Sequence, residues 1–293
     1  MDTDLRPRRS VLYMPGANER ALEKAKGIPA DALIFDLEDA VSPDAKPEAR
    51  DRVCAAASSG GYGLREVVIR VNGLDTPWGA DDLQAAAAAG PAAVLVPKID
   101  GASDIAEVER RLEAGGAPPS TRIWAMLETP AGIFAAREIA TASERLTVLV
   151  MGTNDIAKEL HAEQLPGRQP LQHALSTCLL AARLAGKVIL DGVYNDIKDA
   201  DGFEAECLQG RAMGFDGKTL IHPSQVDPCN RVFAPDAAQV AEAREVIAAF
   251  EAAEAEGKGV VTVNGRMIEN LHVDNARRAL ALDEAITALQ QTS

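Results

Sequence analysis

The chain has 293 residues, 47% of them hydrophobic and only 4% aromatic, and carries a net charge of −14. This length holds one large α/β domain or two smaller ones, and the acidic balance argues against a general nucleic-acid or anionic-membrane surface. The four cysteines (Cys54, Cys178, Cys207 and Cys229) form no C-x-x-C pair, no apolar run reaches membrane length, and no signal-like segment opens the chain, so a cytoplasmic protein with reduced thiols is expected.

Apolar runs bounded by turn residues predict eight strands, each followed by a helical pattern, which is the order of a TIM (β/α)8 barrel. The first strand is expected over 10–14, with Pro15-Gly16 as a turn and Asn18 capping a helix through Lys26. The second, over 32–35, runs into Asp36-Leu37-Glu38-Asp39 and a helix over 45–57. The third, over 66–71, holds Arg70 near its end and precedes a helix over 81–89. The fourth, over 93–96, ends at Pro97-Lys98, ahead of a helix over 103–113. The fifth begins at Ile123, ends on Glu128, and leads into a single helix over 131–141.

The sixth strand, over 146–151, opens into Gly152-Thr153-Asn154-Asp155. An exposed loop over 160–169 and a helix over 170–185 follow. A short seventh strand over 188–190 meets Asp191-Gly192, then a helix over 200–213 and an eighth strand over 215–220 leading to Ile221-His222-Pro223. The tail departs from the repeat: a long helix over 235–256, a hairpin turning at Asn264-Gly265, and a last helix over 272–290. The expected division is therefore a barrel over 1–233 and a helix–hairpin–helix appendage over 234–293 that lids a barrel mouth.

Chemistry collects at the C-terminal ends of barrel strands. Asp36, Glu38, Asp39, Arg70, Lys98, Glu128, Asp155 and Asp191 all stand at such ends. Carboxylates crowded there repel one another unless a cation sits among them, and oxygen donors without a His or Cys cluster suit Mg²⁺, with Mn²⁺ as the alternative. Glu128 and Asp155 are the expected ligands, and Asp36, Glu38 and Asp39 the groups that hold water, Arg70 or Lys98. The competing readings are a rim glutamate in an ion pair and an acidic loop that caps the next helix. Gly152 to Asp155 offers backbone N–H groups to a carboxylate, or is a tight turn and cap; Arg70 suits a bidentate contact to a small acid. His222 is either a base or structural. No G-x-S-x-G, Walker loop or G-x-G-x-x-G occurs.

The ordered runs Arg9-Ser-Val-Leu-Tyr-Met-Pro-Gly16, Asp36-Leu-Glu-Asp-Ala-Val41, Val68-Ile-Arg-Val-Asn-Gly73, Leu127-Glu-Thr-Pro130, Gly152-Thr-Asn-Asp155 and Ile221-His-Pro-Ser-Gln225 resemble the citrate lyase β-subunit-like CoA-ester lyases of the HpcH/HpaI aldolase superfamily. The resemblance implies a Mg²⁺-dependent TIM barrel that forms a homo-oligomer, a trimer or hexamer, and acts on 3-hydroxy-acyl-CoA esters. It implies Glu128 and Asp155 as metal ligands, Arg70 on the small acid, and Gly152, Thr153 and Asn154 as the carboxylate cradle. Lys24, with Arg9 close by in sequence, matches a position suited to CoA phosphates. Many relatives carry an aspartate followed by a proline in the tail, and that aspartate serves a neighbour's site as acid/base; here Glu269 takes its place and the proline is absent. Arg266-Met-Ile-Glu-Asn-Leu-His-Val273 looks most like the branch that hydrolyses (3S)-malyl-CoA to malate and CoA. The alternatives are C–C cleavage to acetyl-CoA and glyoxylate (or of citramalyl- or citryl-CoA), a citrate lyase β-type subunit of a complex, and a pyruvate-type aldolase acting without CoA.

Overall fold

The computed structural model describes residues 6–255, 257 and 259–291. Eight parallel strands close into one barrel in strict chain order. They are β1 (Ser10–Pro15), β2 (Ala32–Asp36), β3 (Glu66–Arg70), β4 (Ala93–Val96), β5 (Arg122–Leu127), β6 (Leu146–Met151), β7 (Val188–Asp191) and β8 (Gly217–Leu220). Between them run α1 (Glu19–Ala25), α2 (Lys46–Ser59), α3 (Gly79–Ala89), α4 (Ala102–Ala114), α5 (Pro130–Phe134), α6 (Ala136–Ala140), α7 (Thr153–Glu159), α8 (Gln172–Leu184) and α9 (Ala200–Met213), and α10 (Val226–Phe233) follows β8.

Alternation along each strand assigns the two faces. Val11, Ile34, Val68, Leu95, Trp124, Val148 and Leu190 pack together in the barrel lumen. Their neighbours Leu12, Phe35, Ile69, Val94, Ile123 and Ile189 pack outward with helix residues such as Leu22, Val53 and Leu83. The N-terminal pole is closed by ion pairs. Arg8 Nε donates to Glu66 Oε2 at 2.5 Å with its guanidinium 5.7 Å from the Trp124 ring, and Arg9 forks onto Asp31 at 2.8 Å.

Several expectations change. The helix expected over 131–141 is broken at Ala135 into α5 and α6. The segment expected as a plain loop over 160–169 enters a 3-10 turn, Pro166–Leu171, in which Arg168 adopts a left-handed backbone (φ 51°) and is only 7% exposed. Helix α10 was not expected from the sequence.

The contacts divide the chain into two compact units, Arg8–Phe233 and the residues from Ala234 onward with Arg6 and Pro7. The second contains α11 (Ala237–Ala255), an antiparallel pair β9 (Val261–Val263) and β10 (Arg266–Ile268), and α12 (Asn270–Gln291). Its own core is Val246, Phe250, Val263, Ile268 and Val273. Asn264 and Gly265 both take positive φ (48° and 77°), as a two-residue hairpin turn of the favoured twist demands. The expected helix end at Glu256 lies outside the described residues.

All four cysteines are free thiols, three buried and Cys54 half-buried. Burial pushes the Cys54 thiol up to about 11, Cys178 up to about 12, and Cys229 well above its ordinary value. Among the described residues no helix is long and apolar enough to cross a membrane.

Candidate active site

A cavity of about 430 Å³ opens at the C-terminal ends of the strands, lined by Asp36, Asp39, Arg70 and the first turn of α7 among others. Strand register delivers its charged wall. Asp36 and Arg70 are direct partners across β2 and β3, the last residue of each strand. Arg70 Nε and Nη2 fork onto the two Asp36 oxygens at 2.7 Å each. Nη1 meets Glu38 at 2.7 Å and Asp39 at 3.3 Å. One guanidinium therefore faces three carboxylates, with its Nε/Nη2 edge already filled. A small acid would have to meet the Nη1/Nη2 edge, where Glu38 and Asp39 now sit. The Tyr13 ring, which the sequence reading missed, lies 4.8 Å from the guanidinium and completes its surroundings.

This crowding sets the protonation states. Burial pushes the Glu38 carboxyl up to about 8; Arg70 pulls it down, but Asp39, Glu128 and Asp36 add to the rise. Burial works against the Arg70 cation, yet Asp36, Tyr13 and Glu38 outweigh it and hold the group protonated.

Glu128 follows β5 directly and is 2% exposed. Its Oε1 accepts the backbone N–H of Lys98 at 2.8 Å. Lys98 presents that amide from a left-handed backbone, φ 52°, an uncommon state for a residue with a side chain. Its contribution here is thus the main chain, while its side chain is exposed. Burial, then the like charge of Asp155, pushes Glu128 up to about 7. Asp155 is half-buried in the first turn of α7.

Two mutually repelling carboxylates, one of them tending to take up a proton, fit a hard cation between them. Among the described residues no three His, Cys, Asp or Glu side chains form a metal cage. A metal held here would need water and substrate oxygens to complete its shell, which suits Mg²⁺ better than a dedicated all-protein site.

The cradle differs from the expectation. The Gly152 N–H donates to the Leu127 carbonyl at 3.1 Å and is not free for a ligand. Gly152 serves another end: a Cβ there would overlap the Glu128 side chain. Thr153 is buried against Gly192, where a Cβ would strike the Thr153 side chain. The Asn154 amide exchanges hydrogen bonds with Asn195 (3.1 and 2.7 Å) and accepts from Gln164 at 3.2 Å.

Other expected residues lie elsewhere. Arg9 does not join the site: it precedes β1 at the opposite pole, 4% exposed and spent on Asp31. Lys24 is exposed in the last turn of α1, on the outer surface, and is not among the residues that line the cavity. Asp191 stands at a strand end but is fully buried in a separate network, with Arg168 at 2.6 Å and Lys218 at 3.0 Å. His222 caps the turn Pro223–Gln225 by accepting the Ser224 N–H. Glu269 belongs to the second unit, exposed between β10 and α12, with its N–H donating to His272 Nδ1 at 3.1 Å.

Residues 9–223 match the model of the HpcH/HpaI aldolase/citrate lyase family. The chain is 52% identical to a (3S)-malyl-CoA thioesterase of Cereibacter sphaeroides over 282 residues, 96% of each chain. It is 42% identical to the citrate lyase subunit beta of Escherichia coli over 95% of this chain and 94% of that one. Among solved structures it is similar to CitE of Mycobacterium tuberculosis in complex with magnesium, acetoacetate and coenzyme A, with TM-score 0.77, 29% identity, and coverage of 95% and 98%. The chain belongs to the HpcH/HpaI aldolase/citrate lyase family.

Proposed function

We propose that the protein hydrolyses (3S)-malyl-CoA, or a related 3-hydroxy-acyl-CoA, to the free hydroxy acid and CoA with Mg²⁺ as cofactor. The observation that carries this reading is one cavity wall in which a single arginine is shared by three carboxylates, close to the Glu128–Asp155 pair. The extended identity to (3S)-malyl-CoA thioesterases supports the choice of reaction.

Glu128 and Asp155 would hold the Mg²⁺. When bound, it supplies positive charge that polarises substrate oxygens and makes water more acidic. Arg70 binds the acid end of the substrate through its Nη1/Nη2 edge and stabilises charge that develops on oxygen. Asp36 fixes the plane of that guanidinium. Glu38, held on Nη1 at 2.7 Å, fixes the edge that the guanidinium turns to the substrate, and the more exposed Asp39, at 3.3 Å, yields its place to the incoming carboxylate. The N–H groups of Thr153 and Asn154 present donors to the same end. Glu269, on the appendage, serves proton transfer and is supplied by another subunit of a homo-oligomer. A cytoplasmic location accords with four free thiols.

The second reading is a CoA-ester lyase, favoured by the identity to a citrate lyase β subunit. Turnover of (3S)-malyl-CoA with Mg²⁺, following free thiol and glyoxylate in parallel, separates the two. Thiol without glyoxylate is expected. Glyoxylate without thiol would replace hydrolysis by C–C cleavage, and the absence of both products would refute the malyl-CoA assignment.

A further inference from the structure

Lys46 opens α2, where the helix dipole disfavours a cation, and it is only 5% exposed. A buried ammonium at that end of a helix needs compensation. Its three donors are all used: Nζ donates to the Leu37 carbonyl at 2.9 Å, to the Glu38 carbonyl at 2.9 Å and to Asn72 Oδ1 at 2.7 Å. The Trp78 ring covers it, 5.0 Å from Nζ.

Asn72 is itself fixed. Its N–H and Nδ2 donate to Asp82 Oδ2 at 3.0 and 2.6 Å, and Nδ2 also reaches the Leu37 carbonyl at 2.9 Å. Asp82 is fully buried and accepts from Arg50 Nε at 2.7 Å. A continuous polar chain thus runs Arg50–Asp82–Asn72–Lys46 and ends on two consecutive carbonyls of the acidic loop. On the cavity side the same loop is held by Asp36, which accepts the N–H groups of Glu38 (2.8 Å) and Ala40 (3.0 Å). The loop is gripped from both sides, and between the grips stands the Glu38 carboxylate that meets Arg70.

We propose that Lys46 is a positioning residue: by holding the Leu37 and Glu38 carbonyls from behind, it fixes the Glu38 carboxylate on Arg70 and so sets the edge that Arg70 offers to substrate. The kinetic arm of its test rests on the function proposed above; the structural arm does not.

In the full-length protein, Lys46→Met should lower kcat/KM on (3S)-malyl-CoA by about tenfold or more, and in a Glu38→Ala background by less than about twofold, because the path through Glu38 is already cut. A crystal structure of Lys46→Met should show Glu38 withdrawn from its 2.7 Å contact with Arg70. Lys46→Arg keeps the charge but not the tetrahedral donor set and should give an intermediate loss; if Lys46→Met does not fold, it carries both arms. Equal losses with and without Glu38→Ala, or a variant structure with Glu38 still on Arg70, would overturn the proposal. A wild-type protein inactive on malyl-CoA would refute the function instead, and the crystal structure would still decide the role of Lys46.

Discussion

The Glu128 side chain occupies the space that a Cβ on residue 152 would need. The end of β6 is pressed onto the end of β5 there, sealed by the hydrogen bond from Gly152 to Leu127. Gly152→Ala should therefore displace Glu128 and lower turnover by about a hundredfold, the scale expected when a reacting geometry shifts by an ångström. Overpacking should cost about 1–3 kcal/mol in stability. Kinetics on the folded variant, with a urea melt beside it, check both; wild-type turnover would mean that the Glu128 position is not critical.

Protons and metal should compete at Glu128. Without metal, Glu128 and Glu38 are held up to about 7 and about 8, above the ordinary 4.5. Groups raised in this way favour the folded state fully only below the unfolded value, and the stability they contribute is lost as pH rises through the folded values. The metal-free protein should thus weaken as pH rises from about 5 to 9, and Mg²⁺ should bind more tightly over the same interval while releasing protons. Calorimetry in two buffers of different ionisation enthalpy measures that release. Glu128→Gln should abolish the metal response, and Mg²⁺ affinity independent of pH would contradict the assignment.

Asp191 carries a different load. It is fully buried between Arg168 and Lys218, and Lys218 also reaches Glu206 at 2.6 Å. Burial raises the Asp191 carboxyl, but the two cations overcome this and hold it below the ordinary range. Asp191→Asn leaves two buried cations short of a counter-charge and should cost about 3–5 kcal/mol. Denaturant unfolding tests this; a loss below about 1 kcal/mol would show that the network relaxes around the change.

Subunit mixing tests the tail. Arg70→Ala and Glu269→Ala should each be inactive alone, while a mixture that has exchanged subunits should recover part of the wild-type rate. No recovery after confirmed exchange would count against supply of Glu269 by another subunit.

The barrel was legible because each strand is a short buried run set between helical patterns, and that signal needs no knowledge of partners. The charged wall was legible for the same reason: Asp36 and Arg70 are the last residues of their strands. Strand-end position says nothing of facing, however, and Asp191, at an equivalent end, faces Lys218 and Arg168. Arg168 itself was hidden by its prolines and glycine, which read as an exposed loop, whereas its burial depends on an ion pair 23 residues away. Arg9 was misplaced because closeness in sequence to Lys24 does not tell which pole a side chain serves. The double duty of Gly152 was beyond reach, since it follows from the approach of a neighbouring strand.

The seclusion of the thiols has a practical side. Cys178, Cys207 and Cys229 are buried, and Cys54 is held in its unreactive protonated form up to about pH 11. A disulfide dye that reports free CoA should meet little competing signal from the native protein, so product can be counted continuously in the presence of the enzyme. A burst of dye reaction without substrate would then report unfolding, and the same trace can serve as a check that each variant is intact.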